Sequence, residues 1–251
     1  MQNALTSNKR LLQIHQDSLS GVFIALTIIS LWLSSLVFLF SIDISKLPIF
    51  LILPAVLLRV FLQTGIFITA HDAIHGLVYP KNRQINNFIG SLATTCYALL
   101  PYNQLLTKHW MHHRYPASTN DPDFYDDEHQ NPFAWYFNFM KGYLQKRQAW
   151  ILLIGMSFFF YSFILGLHIP IINVLLFWIL PLLLSSIQLF YFGIYLPHRR
   201  PEEGYNNRHR TNSNNYSTFW SFITCYHFGY HWEHHEYPDV PWYDLPSVRK
   251  S

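Results

Sequence analysis

The stretch "GVFIALTIISLWLSSLVFLFSI" (Gly21–Ile42) contains no charged side chain. As an α-helix rising about 1.5 Å per residue, it is long enough to cross the ~30 Å hydrocarbon core of a bilayer. It is longer than the apolar core of a signal peptide, about 7–15 residues, and no small-x-small cleavage site follows it. The stretch therefore predicts a retained transmembrane helix and an all-α membrane fold.

Further apolar stretches extend this prediction along the chain. Arg59 lies near the middle of one of them and is expected to face the bundle interior, because a guanidinium is costly in lipid. A shorter stretch, Ile85–Leu100, predicts an interfacial or re-entrant helix. The three additional stretches with the length and composition of a membrane span are Pro48–Ala70, Trp150–Leu167 and Ile171–Pro197.

The overall composition agrees with a membrane protein. The 251-residue chain is 51% hydrophobic and 12% charged, whereas a soluble domain carries about 25% charged residues. Its two cysteines, Cys96 and Cys225, allow neither a disulfide framework nor a CxxC metal site, and we interpret them as packing residues. We expect residues 1–251 to form a single membrane-embedded domain with a polar N-terminal tail over about residues 1–18.

Histidine clusters are the second distinctive feature. Two octapeptides, "HWMHHRYP" (109–116) and "HWEHHEYP" (231–238), each place three histidines at i, i+3 and i+4, and "HDAIH" (71–75) places two at i and i+4. Such residues share one helix face, and neutral imidazole is the commonest metal-binding side chain. Ten of the 14 histidines cluster in this way, with His227 extending the second octapeptide's stripe: His71, His75, His109, His112, His113, His198, His227, His231, His234 and His235.

Four spans would bring all ten histidines to one side of the membrane. With the N-terminus in the cytoplasm, the second and fourth spans both end on the cytoplasmic side, provided that Ile85–Leu100 does not cross. Of the 17 Lys and Arg residues, 15 then lie on that side, with Lys46 outside and Arg59 within a span, as the positive-inside rule requires. We predict a multi-pass integral membrane protein whose active site and both termini are cytoplasmic.

The number of imidazoles predicts two metal ions, because even an octahedral ion takes only about six ligands. Imidazole suits zinc, copper, iron and nickel alike. Zinc has no redox chemistry and would imply hydrolysis, which normally uses a carboxylate on the cluster face. Asp72, Glu233 and Glu236 are nearby but lie off that face, so we expect them to orient the imidazoles through their other ring nitrogen. Iron with oxygen chemistry is therefore favoured.

These motifs resemble those of a known superfamily. HxxxH and two HxxHH motifs at the ends of membrane helices resemble the membrane di-iron fatty acid desaturases and hydroxylases. Longer strings resemble the bacterial-type membrane β-carotene ketolases (4,4'-oxygenases), and the resemblance runs from about residue 21 to residue 246. The strings are "FITAHDAIHG" (67–76), "HWMHHRYPASTNDPDF" (109–124), "FYFGIYLPHR" (190–199) and "YHFGYHWEHHEYPDVPWYDLP" (226–246).

The resemblance implies a set of site residues. It leaves His227 as either a tenth ligand or a residue that supports the ligands. It makes Asp121 and Asp123 candidates for hydrogen bonding to the ligands or for substrate positioning, with capping and turn formation around Pro122 as the alternative. The nine implied ligands of two irons are His71, His75, His109, His112, His113, His198, His231, His234 and His235.

The resemblance also implies a reaction: the C4 methylene of a β-ionone ring becomes a ketone, from β-carotene through echinenone to canthaxanthin, with O2 as co-substrate. The chain has no GxGxxG, CxxCH or iron–sulfur cysteine set, so an external, ferredoxin-type electron donor is implied. A carotenoid ring hydroxylase or an acyl-lipid desaturase with the same di-iron site are the alternatives. A metal transporter is disfavoured because its ligands should lie near mid-membrane, and no nucleic-acid-binding motif is present.

Overall fold

The computed structural model describes residues 19–125, 130–145 and 147–249, and all regular structure within these ranges is helical. The predicted tail over residues 1–18 lies outside the described residues. Short 3-10 helices span Ile44–Lys46 and Trp242–Asp244. The longer elements are α1 (Ser20–Ser41), α2 (Ile49–His75), α3 (Arg83–Ala98), α4 (Tyr102–Arg114), α5 (Pro132–Tyr143), α6 (Arg147–Gly166), α7 (Ile171–His198), α8 (Thr218–Cys225), α9 (His231–Glu236) and α10 (Leu245–Val248).

Four helices, α1, α2, α6 and α7, are long and apolar enough to cross a membrane. Their outer faces expose large apolar side chains such as Phe23, Phe38, Leu153 and Phe158, as lipid-facing helices do. The four predicted spans are therefore confirmed by length and composition. Helix α2 continues past the predicted end of its span as far as His75, so the first histidine pair stands on the spanning helix itself.

Helix α3 enters the bundle part-way. The Asn86 side chain donates to the Ala73 carbonyl at 2.7 Å, and the Gln63 side chain donates to the Tyr97 carbonyl at 3.0 Å. The helix therefore runs antiparallel to the C-terminal half of α2, and Leu99 then adopts a left-handed conformation (φ 54°) that ends it. Helix α4 leads the chain back to the level of the end of α2, where His109 meets His75 at 2.8 Å.

Arg59 lies in the bundle interior, fully buried, which confirms its predicted orientation. Its Nη1 donates to the Trp32 carbonyl at 2.5 Å and to the Ser35 hydroxyl at 2.8 Å, and its Nε donates to the Phe177 carbonyl at 3.0 Å. The guanidinium also lies 5.4 Å from the centre of the Trp32 ring. These contacts to carbonyls and a hydroxyl, with no carboxylate among them, connect α1, α2 and α7 inside the apolar bundle.

At the end of the bundle that carries the histidines, the segments between helices pack closely against the helix ends. A Cβ on Gly21, at the start of α1, would lie only 2.6 Å from the Val78 carbonyl oxygen, so the close approach of α1 to the segment after α2 requires glycine. The side chain of Gln148, at the start of α6, donates to the Leu99 carbonyl at 2.9 Å.

Both cysteines, Cys96 and Cys225, are free thiols in packed positions.

Candidate metal centre

Nine imidazoles converge at the end of the bundle where α2 and α7 end. Helix α2 supplies two of them, α4 three, α7 one and α9 three. They form two groups, each with its ring nitrogens close together. The outer group, in which three side chains are half-buried, is His71, His75, His109, His113 and His234; the inner group, which is wholly buried, is His112, His198, His231 and His235.

In the outer group the facing atoms are Nε2 nitrogens. His75 and His109 approach to 2.8 Å, and His71 and His234 to 3.2 Å. His113 lies between His109 and His234, at 3.1 and 2.9 Å from their Nε2 atoms. Three helices that are distant in sequence therefore direct the same ring atom into one small space.

The inner group repeats this arrangement. The Nε2 atom of His235 lies 3.2 Å from those of His112 and His231. The His198 ring lies 4.6 Å from the His112 ring, measured between centroids. The rings of His113 and His235 stack at 4.2 Å, so the two groups are in direct contact.

The hydrogen bonds of the inner group leave lone pairs facing one another. The Nδ1 atoms of His198 and His231 donate to the carbonyls of Arg210 (3.1 Å) and Phe228 (3.3 Å), and His112 Nδ1 donates to a carboxylate at 2.9 Å. With the proton on Nδ1, each of these Nε2 atoms carries a lone pair.

A cation would satisfy these converging lone pairs. His235 can donate one proton to only one neighbour, and the buried Nε2 of His198 has no hydrogen-bond partner among the described residues. Buried polar atoms without partners cost free energy. The donor set thus fits a bound metal ion, and an all-imidazole set of this kind suits iron as well as zinc or copper.

Burial keeps these rings in their ligand form. Desolvation, followed by the neighbouring imidazoles, lowers the pKa of two rings on α4 and of the three rings on α9 well below the usual value of 6.5. These rings are therefore neutral at pH 7, which is the form that binds metals. The rings concerned are His109, His113, His231, His234 and His235.

Two aspartates lie against the Nδ1 side of the cluster. Asp121 accepts from His112 with both carboxylate oxygens, at 2.9 and 3.0 Å, and Asp72 lies 3.4 Å from His71 Nδ1. The Asp121 carboxylate also accepts from the main-chain N–H of Ala117 at 2.9 Å. Both carboxylates are thus placed to fix ring orientation, as expected for residues behind metal-binding histidines.

The structure corrects the expectation for the two glutamates of α9. Glu233 accepts a hydrogen bond from the Ser213 hydroxyl, and Glu236 accepts from Arg208 and His209, each at 2.8 Å. Helical phase turns both side chains away from the nine imidazoles and toward the loop that follows α7. They therefore anchor that loop to α9.

His227 is a second correction, because it does not extend the stripe of α9. Helix α8 ends with Tyr226 and His227 both in the left-handed conformation (φ 50° and 60°), and α9 begins only at His231. The His227 ring stacks on Tyr230, at 5.5 Å between centroids, and lies outside both imidazole groups. This geometry favours a packing role for His227 over that of a tenth ligand.

Two cavities lead to the imidazoles. An inner cavity of about 50 Å³ touches rings of both groups, together with Asp123 and Tyr143. A larger cavity of about 430 Å³ lies between α3, α5, α6 and α7 and has mainly apolar walls. The two have common walls, formed by Phe67, Phe139, Tyr143 and Leu189.

The sequence offers Asp123 as a candidate site residue and gives almost no indication of Tyr143. The only signal for Tyr143 is its four-residue spacing from Phe139, which any helix with an apolar face can show. The Tyr143 hydroxyl donates to Asp123 at 3.0 Å, and the Asp123 carbonyl accepts from Trp135 Nε1 at 2.8 Å. Asp123 therefore contributes to a cavity wall and, unlike Asp121, has no hydrogen bond to an imidazole among the described contacts.

Comparison with known proteins gives consistent matches. The family model "Fatty acid desaturase" matches residues 47–251. Zeaxanthin 4-ketolase of Chlamydomonas reinhardtii is 36% identical over 252 residues, which cover 94% of this chain and 54% of that protein. β-Carotene ketolase of Paracoccus sp. (strain PC1) is 41% identical over 192 residues, 76% of each chain.

A third relative, β-carotene 4-ketolase 3 of Haematococcus lacustris, is 38% identical over 202 residues, 76% of this chain and 59% of that protein. The chain thus spans little more than half the length of the two algal relatives and about three quarters of the Paracoccus protein. No solved structure matches.

Proposed function

The chain belongs to the fatty acid desaturase family, and we propose that it is an O2-dependent di-iron oxidoreductase that converts the C4 methylene of β-ionone rings to a ketone. Its substrates are β-carotene and echinenone, and its final product is canthaxanthin. The observation that carries this proposal is the position of the two imidazole groups at the wall of an apolar cavity within a membrane bundle. The names of the ketolase relatives supply the substrate class.

The outer and inner imidazole groups would each hold one iron, through five and four rings respectively. Iron bound there supplies oxidising chemistry with O2, so the protein need not provide a nucleophile. The task of the chain is then to orient the rings, and Asp72 and Asp121 do so from the Nδ1 side. Residues 1–251 are proposed to act as one membrane-embedded domain.

The larger cavity is suited to an apolar ring. Its volume of about 430 Å³ falls within the range of small-molecule sites, ~300–1,000 Å³. Leu152, Leu153 and Met156 of α6 line it, and α6 is the span whose most apolar window contains no buried residue. Helix α6 thus lies at the outside of the bundle, where a carotenoid dissolved in the bilayer would meet it. The larger cavity shares walls with the inner cavity that touches the imidazoles, so a ring held there lies next to the metal-binding groups, and such positioning gives site selectivity.

Electrons are proposed to come from an external donor of the ferredoxin type, on the cytoplasmic side. The outer group is the accessible one, because His75, His109 and His113 are only half-buried. Trp110 is 40% exposed and its ring lies 5.1 Å from the His75 ring. The segments proposed to lie on this side carry 15 of the 17 Lys and Arg residues, which could contact an acidic partner. Both termini are proposed to lie on the same side, in agreement with the positive-inside rule.

Pigment analysis tests the proposed reaction. Carotene-producing cells that express the chain should accumulate echinenone and then canthaxanthin, and His112→Ala should abolish both products. Production of zeaxanthin would indicate a ring hydroxylase with the same metal centre. Altered fatty acids with untouched carotene would indicate an acyl-lipid desaturase. Either result would reject ketone formation while retaining the di-iron site.

A further inference from the structure

The wall of the inner cavity contains polar side chains other than the imidazoles. Apart from the imidazoles, its lining within the described residues is apolar except for Asp123 and Tyr143. Both belong to segments that supply none of the nine imidazoles: Asp123 lies in the loop after α4, and Tyr143 is the last residue of α5. Asp123 also lies close to His112 and Asp121, a trio that could itself hold an ion, and the pair borders the same small space as the imidazoles.

The two side chains are held firmly together. The Tyr143 hydroxyl donates to Asp123 Oδ1 at 3.0 Å. The main chain of Asp123 is fixed on both sides: its N–H donates to Asp121 Oδ1 at 2.9 Å, and its carbonyl accepts from Trp135 Nε1 at 2.8 Å. The carboxylate is thus set at a defined distance from the inner group, with an oxygen within 4.8 Å of a His112 ring nitrogen.

The Tyr143 ring is fixed independently of its hydroxyl. Lys108 Nζ lies 4.2 Å from the ring centre and donates to the Gly142 carbonyl at 2.6 Å. On α5 itself, the Phe139 ring lies 4.9 Å away. Burial and the neighbouring Asp123 raise the pKa of Tyr143, so the phenol remains a hydrogen-bond donor at neutral pH.

Ketone formation requires that the alcohol intermediate stay bound between two successive oxidations. Each hydroxylation consumes one O2 and two electrons from the external donor, takes up two protons and releases one water. The first gives an allylic alcohol; the second gives a geminal diol, which loses water to become the ketone. Between the two turnovers the alcohol must stay in an apolar cavity, where a hydroxyl without a partner is costly.

We propose that Asp123 and Tyr143 form a binding site for the hydroxyl group of the half-oxidised ring, and that this site decides whether the reaction ends at the alcohol or continues to the ketone. The proposal rests on the proposed ketolase function. When the alcohol binds, the phenol turns its one proton from Asp123 Oδ1 to the substrate oxygen, and the carboxylate accepts from the substrate hydroxyl in its place. Both hydrogen-bonding capacities of the alcohol are then satisfied. A methylene gains nothing from either group, so the pair binds the intermediate selectively.

The test compares two substitutions that each remove one phenolic hydroxyl from α5. Tyr143→Phe removes the donor at the cavity, whereas Tyr136→Phe, the matched control, removes a hydroxyl that bonds to Ser186 at 2.7 Å. The first measurement is the ratio of 4-hydroxylated to 4-ketonic rings in carotene-producing cells. The second is the affinity of the purified proteins, in detergent, for β-carotene and for its 4-hydroxylated derivative.

We expect Tyr143→Phe to raise the alcohol-to-ketone ratio at least about fivefold, the effect of one hydrogen bond in an apolar site. It should weaken binding of the hydroxylated derivative by a similar factor and leave β-carotene binding within about twofold. Tyr136→Phe should change neither ratio nor affinity. If Tyr143→Phe yields no product, the binding measurement decides, because selective loss of affinity for the alcohol supports the proposal and equal affinities overturn it.

The proposal and the proposed function fail in different ways. A wild-type chain that makes no ketone would overturn the ketolase function and this proposal with it. A wild-type chain that makes ketone, with an unchanged product ratio and unchanged alcohol affinity in Tyr143→Phe, would overturn only the hydroxyl site.

Discussion

Asp121→Asn is the most informative substitution behind the metal centre, because it changes a charge with almost no change in shape. The carboxylate accepts from His112 Nδ1 and from the main-chain N–H groups of Ala117 and Asp123, at 2.9–3.0 Å. An asparagine has one acceptor oxygen and one NH2 group. In either orientation its NH2 group faces one of the two main-chain N–H groups.

These contacts determine how much folding stability Asp121→Asn should lose. One buried N–H loses its acceptor, which costs about 1–3 kcal/mol, and the charge-assisted bond to His112 becomes a neutral one. We expect a loss of about 3 kcal/mol in folding stability, which for a domain of this size lowers the Tm by about 6–12 °C. Because the carboxylate orients an imidazole of the inner group, iron affinity should fall by about 10–100-fold.

The pH dependence has a definite sign. Burial acts to raise the pKa of Asp121, but the charge and hydrogen bond of His112 outweigh it, so the folded-state pKa lies below the usual 3.8. The ionised carboxylate therefore stabilises the folded state fully at any pH above the usual carboxyl pKa of 3.8. This stabilisation is lost as the pH falls from there through the lower pKa of the folded state. The stability difference between wild type and Asp121→Asn in metal-depleted protein should narrow below about pH 4.

The assay is retention of iron against a graded chelator, together with thermal unfolding in detergent. Glu236→Gln is the matched control, because it makes the same chemical change in a carboxylate that bonds to Arg208 and His209, outside the nine imidazoles. It should change stability by no more than about 1 kcal/mol, the usual range for a partly exposed ion pair, and leave iron unchanged. Wild-type iron retention in Asp121→Asn would refute the orienting role of the carboxylate.

Three further predictions address the ligands, the packing and the topology. His234→Ala should lower bound iron and abolish activity, whereas His168→Asn, at an exposed turn between α6 and α7, should do neither; elemental analysis decides. Gly21→Ala places a Cβ 2.6 Å from a backbone carbonyl and should lower the Tm by about 3–10 °C, whereas Gly166→Ala, with open space around it, should not. A reporter fused after Leu106 should read internal and one fused after His168 external; an external signal at Leu106 would refute the placement of all imidazoles on the cytoplasmic side.

The spans and the ligand helices could be predicted from sequence because their signals are local. A long uncharged apolar run such as Gly21–Ile42 is most stable in the apolar interior of a bilayer. Histidines at i, i+3 and i+4 share one face of a helix whatever the tertiary structure. The division into two groups could not be predicted in this way. His112 and His113 are adjacent in sequence yet belong to different groups, because the positions of α7 and α9 determine which rings each one meets.

The contacts of four residues could not be predicted, because they depend on tertiary packing and not on helical spacing. His227 fits the helical spacing of α9, but two left-handed residues end α8 there and turn the chain before α9 begins. Glu233 and Glu236 lie off the histidine face, as helical spacing predicts, but their partners come from the loop after α7, which has no periodic signal. Tyr143 is separated from Asp123 by 20 residues, and only the packing of α5 brings them together.

Under the proposed function, the asymmetry between the two imidazole groups separates the routes of electrons and substrate. Three of the five outer rings are half-buried near Trp110, whereas the inner group is wholly buried and backed by Asp121. The inner cavity touches rings of both groups from within the helix bundle, and Phe139 and Tyr143 form part of its wall. A reductant can therefore dock without displacing the ring, and the ring can remain bound while the second pair of electrons arrives. Since a ketone needs two oxidations at one carbon, this separation gives a bound alcohol time to be oxidised again before it returns to the bilayer.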